Sequence, residues 1–475
     1  MTRLRERLTR SDLIALIVAA AFFMEGLDAT IIAPAIPEMA KAFGADAAAL
    51  SSGISAYLIA VAVFIPVSGW AADRFGVRNV FCVAITVFTL ASVMCGFATS
   101  LSEFVLWRVV QGVGGAMMSP VGRMEVLSKT PKERFMRAMA LVSWPGLSSF
   151  IVGPPLGGFI TTYVSWQWIF FINVPLGMIA FALVLRFFTN EKRPRRPFDW
   201  RGFVLFGGAL GALIYGLEIL GHHTAQWPIG GAMIIAGATL GMLAVRHALH
   251  HPHPIISLGP LRVRTFSTGT LTGGGLFRIV IGSSSFLLPT MFQLAYGFDA
   301  FNAGLMMFAL ATGDLLMKFR ASYFVRRFRL RPVLIVNGLL VATGTLALAG
   351  ITAGTPFWGL FALMFFVGMV RSQQFTCLTA MSFADIPNDR MANATALSNM
   401  LMQASFALGV AFSAIVLVVV QHVRGGGPFI GLDFKVVLCV LALMAFASIY
   451  FFLRLDPSAG ANVSGHASRN AKPAT

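Results

Sequence analysis

The feature that most constrains this chain is a succession of apolar runs, each long enough to cross a hydrocarbon layer about 30 Å thick as a helix. Fourteen such runs are predicted, from 13–35, 50–70 and 80–98, through 166–188, 202–220, 228–248 and 266–294, to 434–454; those at 303–320 and 392–420 are the most interrupted. Hydrocarbon offers the backbone no water, so each run has to close its own N–H to C=O bonds, and at this length that means an α-helix. Composition agrees: 57% of the residues are hydrophobic and 12% charged, where a soluble domain carries about 25% charged residues. The expected fold is an all-α polytopic membrane protein with fourteen transmembrane helices.

Basic residues set the orientation. Of the 36 Lys and Arg, with residues near the ends of runs counted to the adjoining loop, Arg108 and Arg278 are assigned to spans and only Lys41, Arg424 and Lys435 to loops on the side away from the N-terminus. The remainder lie on the N-terminal side, which is the positive-inside pattern of a cytoplasmic N-terminus. With an even number of spans both termini are then cytoplasmic, in a multi-pass protein of a bacterial inner membrane. The net charge of +17 follows from this bias and calls for lipid headgroups, not nucleic acid, as its partner. The basic stretches at 192–196 and 326–331 read as headgroup anchors. The N-terminal segment 1–12 reads as the flank of a retained first span, because the apolar run after it carries two acids and lacks a small-residue cleavage site. The polar tail 456–475 is expected to be disordered, and its Asn462-Val-Ser464 sequon to stay unmodified in the cytoplasm.

No metal site is predicted. Cys82, Cys95, Cys377 and Cys439 stand singly in apolar runs, as small core residues do. His247, His250, His251 and His253 form a short His-rich loop with no acid or cysteine beside them in sequence. No nucleophile, metal or nucleotide motif points to an enzyme, and the absence of a Gly-rich phosphate loop argues against ATP as an energy source.

Two acids in the first run carry the main functional signal. Glu25 and Asp28 are three residues apart, so a helix turns both to nearly one face. An ionised carboxylate at mid-membrane costs on the order of 3 kcal/mol, and a second beside it adds repulsion. Apolar burial favours the neutral acid, so the pair is a candidate for gaining and losing protons during transport. The competing reading is that a basic residue on another span holds one acid ionised and only fixes packing.

The sequence also repeats at an offset of 253 (Gly44 to Gly297). Phe43-Gly44-Ala45-Asp46 recurs as Tyr296-Gly297-Phe298-Asp299, and Arg74-Phe75 with Arg78 recurs as Arg327-Phe328 with Arg331. Two parallel six-helix units with two inserted helices explain these matches. The predicted organisation is an N-terminal bundle over 13–188, inserted helices with their loops over 189–263, and a C-terminal bundle over 264–455. The same offset relates Glu25 to Arg278, an acid and a base that could pair in one state and separate in another.

Motifs connect these positions to chemistry. Gly69-Trp-Ala-Ala-Asp-Arg-Phe-Gly-Val-Arg78 combines a glycine for close approach, opposite charges at the membrane edge and a glycine turn. It resembles the signature cytoplasmic loop of the major facilitator superfamily, G-x-L-A-D-R-x-G-R-R, with Ala71 and Val77 as departures. The resemblance implies a conformational switch formed by Gly69, Asp73, Arg74, Gly76 and Arg78. In the second-half copy Ser322, Arg326 and Arg329 stand where Gly, Asp and Gly would. Arg108-Val-Val-Gln-Gly-Val-Gly-Gly is similar to the family's R-x-x-Q-G-x-G motif. An arginine that cannot discharge in lipid needs an acid, and Asp28 or Glu25 is the expected partner; the alternative is a structural clamp.

Gly153-Pro154-Pro155-Leu-Gly157-Gly158 resembles the antiporter motif G-x-x-x-G-P-x-x-G-G, with Ser149 for the first glycine and Pro155 additional. Among superfamily members this motif marks exporters. Leu27-Asp-Ala-Thr-Ile-Ile-Ala-Pro-Ala-Ile-Pro37 and Ser165-Trp-Gln-Trp-Ile-Phe-Phe-Ile-Asn-Val-Pro-Leu-Gly177 look like stretches of the fourteen-helix drug:proton antiporters. Within that branch, 112–123 and Gly304-Leu-Met-Met307 are most similar to the MdtD-like transporters.

In the second half, Arg278, Asp314, Arg371, Gln373 and Gln374 are polar groups in apolar surroundings and are candidates to line a substrate cavity; Asp314, Arg371 and the glutamines could instead sit at cytoplasmic helix ends near Lys318 and Arg390. Glu218 reads as interfacial. The resemblance implies a proton-coupled exporter of small, lipophilic organic compounds, working by alternating access, as a monomer, with the proton gradient and no cofactor as its energy source. Two alternatives stay open: export of a metabolite, organic anion or metal-chelate complex by the same fold, and a membrane sensor or scaffold that transports nothing.

Overall fold

The computed structural model describes residues 10–130, 135–190, 197–222, 227–252, 254–352, 354–387 and 390–456. The basic stretch 192–196, His253 and the sequon at 462–464 lie outside the described residues, as do the side chains of Glu218, Ser322 and Arg326. The described chain is helical, with no strand. Its helices are α1 (Arg10–Ile31), α2 (Ile36–Phe43), α3 (Ser51–Phe75), α4 (Val77–Phe97), α5 (Leu101–Lys129), α6 (Phe135–Tyr163), α7 (Trp168–Phe171), α8 (Asn173–Phe187), α9 (Trp200–His222) and α10 (Trp227–His250). They continue as α11 (Arg264–Thr270), α12 (Gly273–Leu294), α13 (Ala300–Phe328), α14 (Leu330–Ala349), α15 (Phe357–Phe383), α16 (Met391–Val423) and α17 (Gly431–Leu453). Among the described residues, 12 helical stretches are long and apolar enough to cross a membrane.

Three predicted runs are not single helices. The first run continues past Ile31 through a 3-10 turn at Ala33–Ala35 into α2. Pro34 and Pro37, which have no N–H to donate, sit at the first turns of these two pieces. The run predicted at 166–188 divides into α7 and α8 at Ile172. The run at 266–294 divides into α11 and α12, and α12 opens on Gly273-Gly274-Gly275, a poor place to propagate a helix.

The chain forms two compact units, residues 1–200 with 299–304, and residues 201–298 with 305–475. The predicted inserted helices, α9 and α10, therefore fall with the C-terminal helices in this division. In the N-terminal unit α1 packs along α6 and α5, α3 and α4 both pack on α5, and α8 packs on α4 and α1. Ile17, Val18, Phe81, Phe88, Met118 and Val121 are buried together at its centre. In the C-terminal unit α12 packs on α16 and α17, and α14 packs on α17 and α15.

The repeat survives in the backbone of each unit. Gly44 caps α2 with a left-handed residue at φ 61°, and Gly297, two residues past the Ala295 cap of α12, is also left-handed at φ 71°. Gly76 starts α4 at φ 87° and ψ 146°, and Arg329 starts α14 at φ 62° and ψ 163°. Backbone conformations that L-residues rarely adopt thus recur 253 positions apart (Gly76 to Arg329), a coincidence short sequence matches alone would not establish.

Candidate functional site

The N-terminal unit builds a buried polar network around Asp28, which is 1% exposed on α1. Arg108 of α5, also 1% exposed, donates from Nη1 to Asp28 Oδ2 at 2.7 Å and to Gln111 Oε1 at 2.6 Å. Gln111 Nε2 donates to Asp28 Oδ1 at 2.8 Å, and Asn173 Nδ2 of α8 donates to the same oxygen at 3.0 Å. The guanidinium lies over the Tyr57 ring of α3, 4.3 Å from its centroid, and its Nε points at the Gly53 carbonyl at 3.4 Å. Four helices besides α1 thus have a stake in one carboxylate: α3 and α5 through Arg108, and α8 and α4 through Asn173, whose Nδ2 also donates to Ser92 Oγ at 2.9 Å.

A buried ion pair is held together only if its remaining hydrogen-bonding capacity is met, because desolvating both charges costs several kcal/mol per ion. Here each Asp28 oxygen accepts at least one bond, and the arginine face is covered by an aromatic ring. Glu25, one turn earlier on α1, is treated differently. It is partly exposed and accepts from Ser119 Oγ at 2.6 Å. Arg123, on the same helix as Ser119, lies over Phe22 instead. The two acids expected to act together therefore differ: Asp28 is enclosed by donors, and Glu25 is the one accessible from outside the packed interior.

What brings α1 so close to its neighbours is the antiporter motif on α6. An added Cβ at Gly153 would strike Thr30, and one at Gly157 would strike the Ile31 carbonyl. The departure at Ser149 is matched on α1 by Gly26, which has no Cβ where the Ser149 hydroxyl lies. Gly158 meets the backbone of Ala300 and Phe301, in the 299–304 segment that groups with this unit. Pro154 and Pro155 lie within α6 without ending it.

The 69–78 segment forms the end of α3, the α3–α4 turn and the start of α4. Arg74 is exposed, with its guanidinium over Trp70 at 5.6 Å, and Asp73 and Arg78 are partly exposed. Gly76 needs its missing Cβ twice over: φ is 87°, and the Asn190 side chain fills the space a Cβ would take. Asn190 Oδ1 also accepts from the Asn79 N–H at 3.4 Å, near the start of α4. Gly69 departs from expectation. Among the described residues an added Cβ there would meet nothing within 4 Å, so none of them approaches closely at this glycine.

The C-terminal candidates do not form a comparable network. Arg278 of α12 is 2% exposed, and its Nη1 donates to the carbonyls of Gly269 and Thr270 at 3.0 and 3.1 Å. These are the last carbonyls of α11, left without intrahelical donors by the break at 271–272. Every hydrogen bond Arg278 makes among the described residues goes to backbone, so the acid expected as its partner is not among them. Arg371 of α15 pairs with Asp314 of α13, both partly exposed, and Ser372 Oγ donates to the Asp314 carbonyl at 2.6 Å. Arg371 also lines a small cavity with Ser284, Thr345 and apolar side chains of α12, α14 and α17. Gln373 and Gln374 are withdrawn between helices: Gln374 accepts from Asn337 of α14 at 3.1 Å and donates to the Leu334 carbonyl at 3.2 Å, and Gln373 donates toward the Ala321 carbonyl at 3.4 Å. An amide that clamps neighbouring helices is not free to meet a ligand. His247 and His251 stack at 4.9 Å one turn apart, and His250 bonds the Arg246 carbonyl through Nδ1.

Ser92, Ser119 and Asn190 escaped sequence reasoning, because single polar residues in apolar runs carry no periodic signal. Gln111 and Asn173 lay in quoted motifs, but only the packing of α4, α5 and α8 on α1 shows what they hold.

A bundle of long apolar helices with an ion pair sealed inside one unit is the architecture of a multi-pass membrane protein, and the family match adds its class, a transporter of small molecules. The Major Facilitator Superfamily profile matches residues 18–410 and 270–474, and the chain belongs to that superfamily, whose members are transporters and not enzymes. An MdtD protein of Cronobacter sakazakii, named for multidrug resistance, is 37% identical over 440 residues, covering 92% of this chain and 93% of its own. The MdtD protein of Serratia proteamaculans is 36% identical over 451 residues, covering 94% of each. The xylose transporter XylE from E. coli, in a partially occluded inward open conformation, superposes with a TM-score of 0.61 at 14% identity, over 94% of this chain and all of its own; at that identity the likeness is one of fold.

Proposed function

We propose that this chain is a proton-coupled antiporter that exports small, lipophilic organic compounds from the cytoplasm across a bacterial inner membrane. The observation that carries the reading is the Asp28–Arg108 pair, buried where an apolar span would otherwise have no reason to place charge. The antiporter motif seated on α1 and the multidrug-resistance names of the MdtD relatives support the direction and the cargo. Asp28, with Glu25, takes a proton from outside; substrate arrives from inside; Arg108 biases which of the two is held. Each ligand drives the cycle only through its different affinity for the inward and outward states.

In this reading the fold has fourteen spans: α5 and α6, each 29 residues long, join the 12 helical stretches that qualify on hydropathy. Charged Glu103, Arg108, Arg123 and Glu125 lower the apolar score of α5 without shortening it. Both termini are cytoplasmic, the protein acts as a monomer, and the proton gradient serves in place of any cofactor. Asp73, Arg74 and Arg78 act as the conformational switch, and Asp314 with Arg371 is the C-terminal candidate for substrate contact.

Purified protein in proteoliposomes under an imposed pH gradient, assayed with dye cations and with organic anions, tests this. Gradient-driven movement of cationic or neutral lipophilic dyes is the expected result. Movement of anions alone would shift the reading to a metabolite exporter, and no substrate-dependent proton flux of any kind would leave a non-transporting membrane protein.

A further inference from the structure

The Asp28 network is built for an anion. Oδ1 receives N–H bonds from Gln111 and Asn173, and Oδ2 receives one from Arg108. An ionised carboxylate can only accept, so every neighbour turns a donor toward it. A protonated carboxyl is a different object. Its O–H must donate, and a buried donor without an acceptor is unfavourable enough to suppress protonation about tenfold to a hundredfold. If Asp28 is to carry a proton, the site needs an acceptor that its charged form does not use.

Among the described residues there is one at hand. Gln111 Oε1 is taken by Arg108 Nη1 at 2.6 Å. Ser92 Oγ donates to the Phe170 carbonyl at 2.9 Å and accepts from Asn173. Asn173 is fully buried, at 0% exposure. Its Nδ2 serves both Asp28 and Ser92, while its Oδ1 is buried with no hydrogen-bond partner. An unused acceptor therefore sits on the same amide that donates to the carboxylate, and a half-turn about Cβ–Cγ exchanges the two atoms.

We propose that Asn173 is a positioning residue that reads the protonation state of Asp28, donating through Nδ2 to the charged carboxylate and, after its amide turns over, accepting through Oδ1 from the neutral carboxyl O–H. The step balances: a proton from water forms the O–H bond on Asp28 Oδ1, and the hydrogen bond between them reverses direction. The turned amide presents Oδ1 to Ser92 as well, whose hydroxyl then releases the Phe170 carbonyl to donate to it, while the Nδ2 hydrogens move to the buried place Oδ1 leaves; that cost returns the amide to its first position once Asp28 ionises. The change of charge on α1 is thereby passed to α4 and to the α7–α8 junction. The inference rests on the reading of Asp28 as a proton carrier. The titratable groups that face Asp28 are Arg108 of α5, Tyr57 of α3 and Cys95 of α4, with Glu25 one turn back on α1. α8 contributes the Asn173 amide, and α6 meets α1 through Ser149 and glycines.

Infrared difference spectroscopy on the full chain in lipid, titrated with pH, tests it. The carboxyl C=O band assigned to Asp28 by its loss in Asp28→Asn should lie in the hydrogen-bonded range in the wild type. In Asn173→Leu it should move up to the free-carboxyl range. A wild-type band already at the free-carboxyl position overturns the proposal with no variant needed, and so does a band that Asn173→Leu leaves in place. If Asp28→Asn removes no titrating band, the proton-carrier reading fails instead.

Discussion

At Gly76 and at Arg329 the chain makes the same turn between two helices, yet the side chains around the turns differ. At Gly76 the Asn190 side chain occupies the space of a Cβ and reaches the N–H of Asn79. At Arg329 a large residue holds φ 62° and ψ 163°, a region nearly reserved for glycine and costing about 1–3 kcal/mol. The charged interiors differ in the same sense. In the N-terminal unit a carboxylate and a guanidinium satisfy each other through five helices; in the C-terminal unit Arg278 caps the broken end of α11. One backbone plan has been kept twice, with the polar machinery concentrated in the first copy and helix-to-helix clamps in the second.

The largest test of that contrast is Asp28→Asn, which leaves Arg108 buried without its counter-charge. It should abolish gradient-driven export and destabilise the protein by about 3–5 kcal/mol, read by transport in proteoliposomes and thermal unfolding in detergent. Adding Arg108→Gln should recover part of the stability and none of the transport. Gly76→Ala comes next. It combines an unfavourable φ with displacement of Asn190, so unfolding should come about 2–3 kcal/mol sooner, and retained stability would remove the distinction between the two turns. Arg278→Gln, which loses bonds to two backbone carbonyls, should cost about 1–3 kcal/mol. A complete loss of transport there with unaltered stability would show that the C-terminal unit carries machinery of its own. The smallest effect is a gain: Arg329→Gly should raise stability by about 1 kcal/mol, relief of backbone strain being partly offset by the freer unfolded chain.

Much of the first copy was legible from residues alone. The Glu25 and Asp28 spacing, Arg108 in its motif and the glycines at 153 and 157 all named positions that meet on α1, because a charge in an apolar run and a glycine cluster are conspicuous against that background. The second copy was read less well. Gln373 and Gln374 looked like cavity residues since they are polar in an apolar run, but both are buried, Gln374 between Asn337 and the Leu334 carbonyl and Gln373 with its Nε2 toward the Ala321 carbonyl. Sequence shows that a buried amide needs a partner and is silent on whether another helix supplies it. Gly69 shows the same limit: a glycine permits close approach and does not report whether a neighbour has come.

Composition and run length by themselves determined a membrane-embedded all-helical chain, because hydrocarbon admits no other way to satisfy the backbone at this length. The turn at Gly76 was legible locally, from its glycine; the same turn at Arg329 runs against that residue's preference and is held by its surroundings. Only tertiary structure decided which of the two acids is enclosed and which is left partly open, and that three donors on α5 and α8 converge on Asp28. Those contacts join residues 80, 83 and 145 positions apart, and no periodicity within a single helix can specify where a distant helix will place an amide.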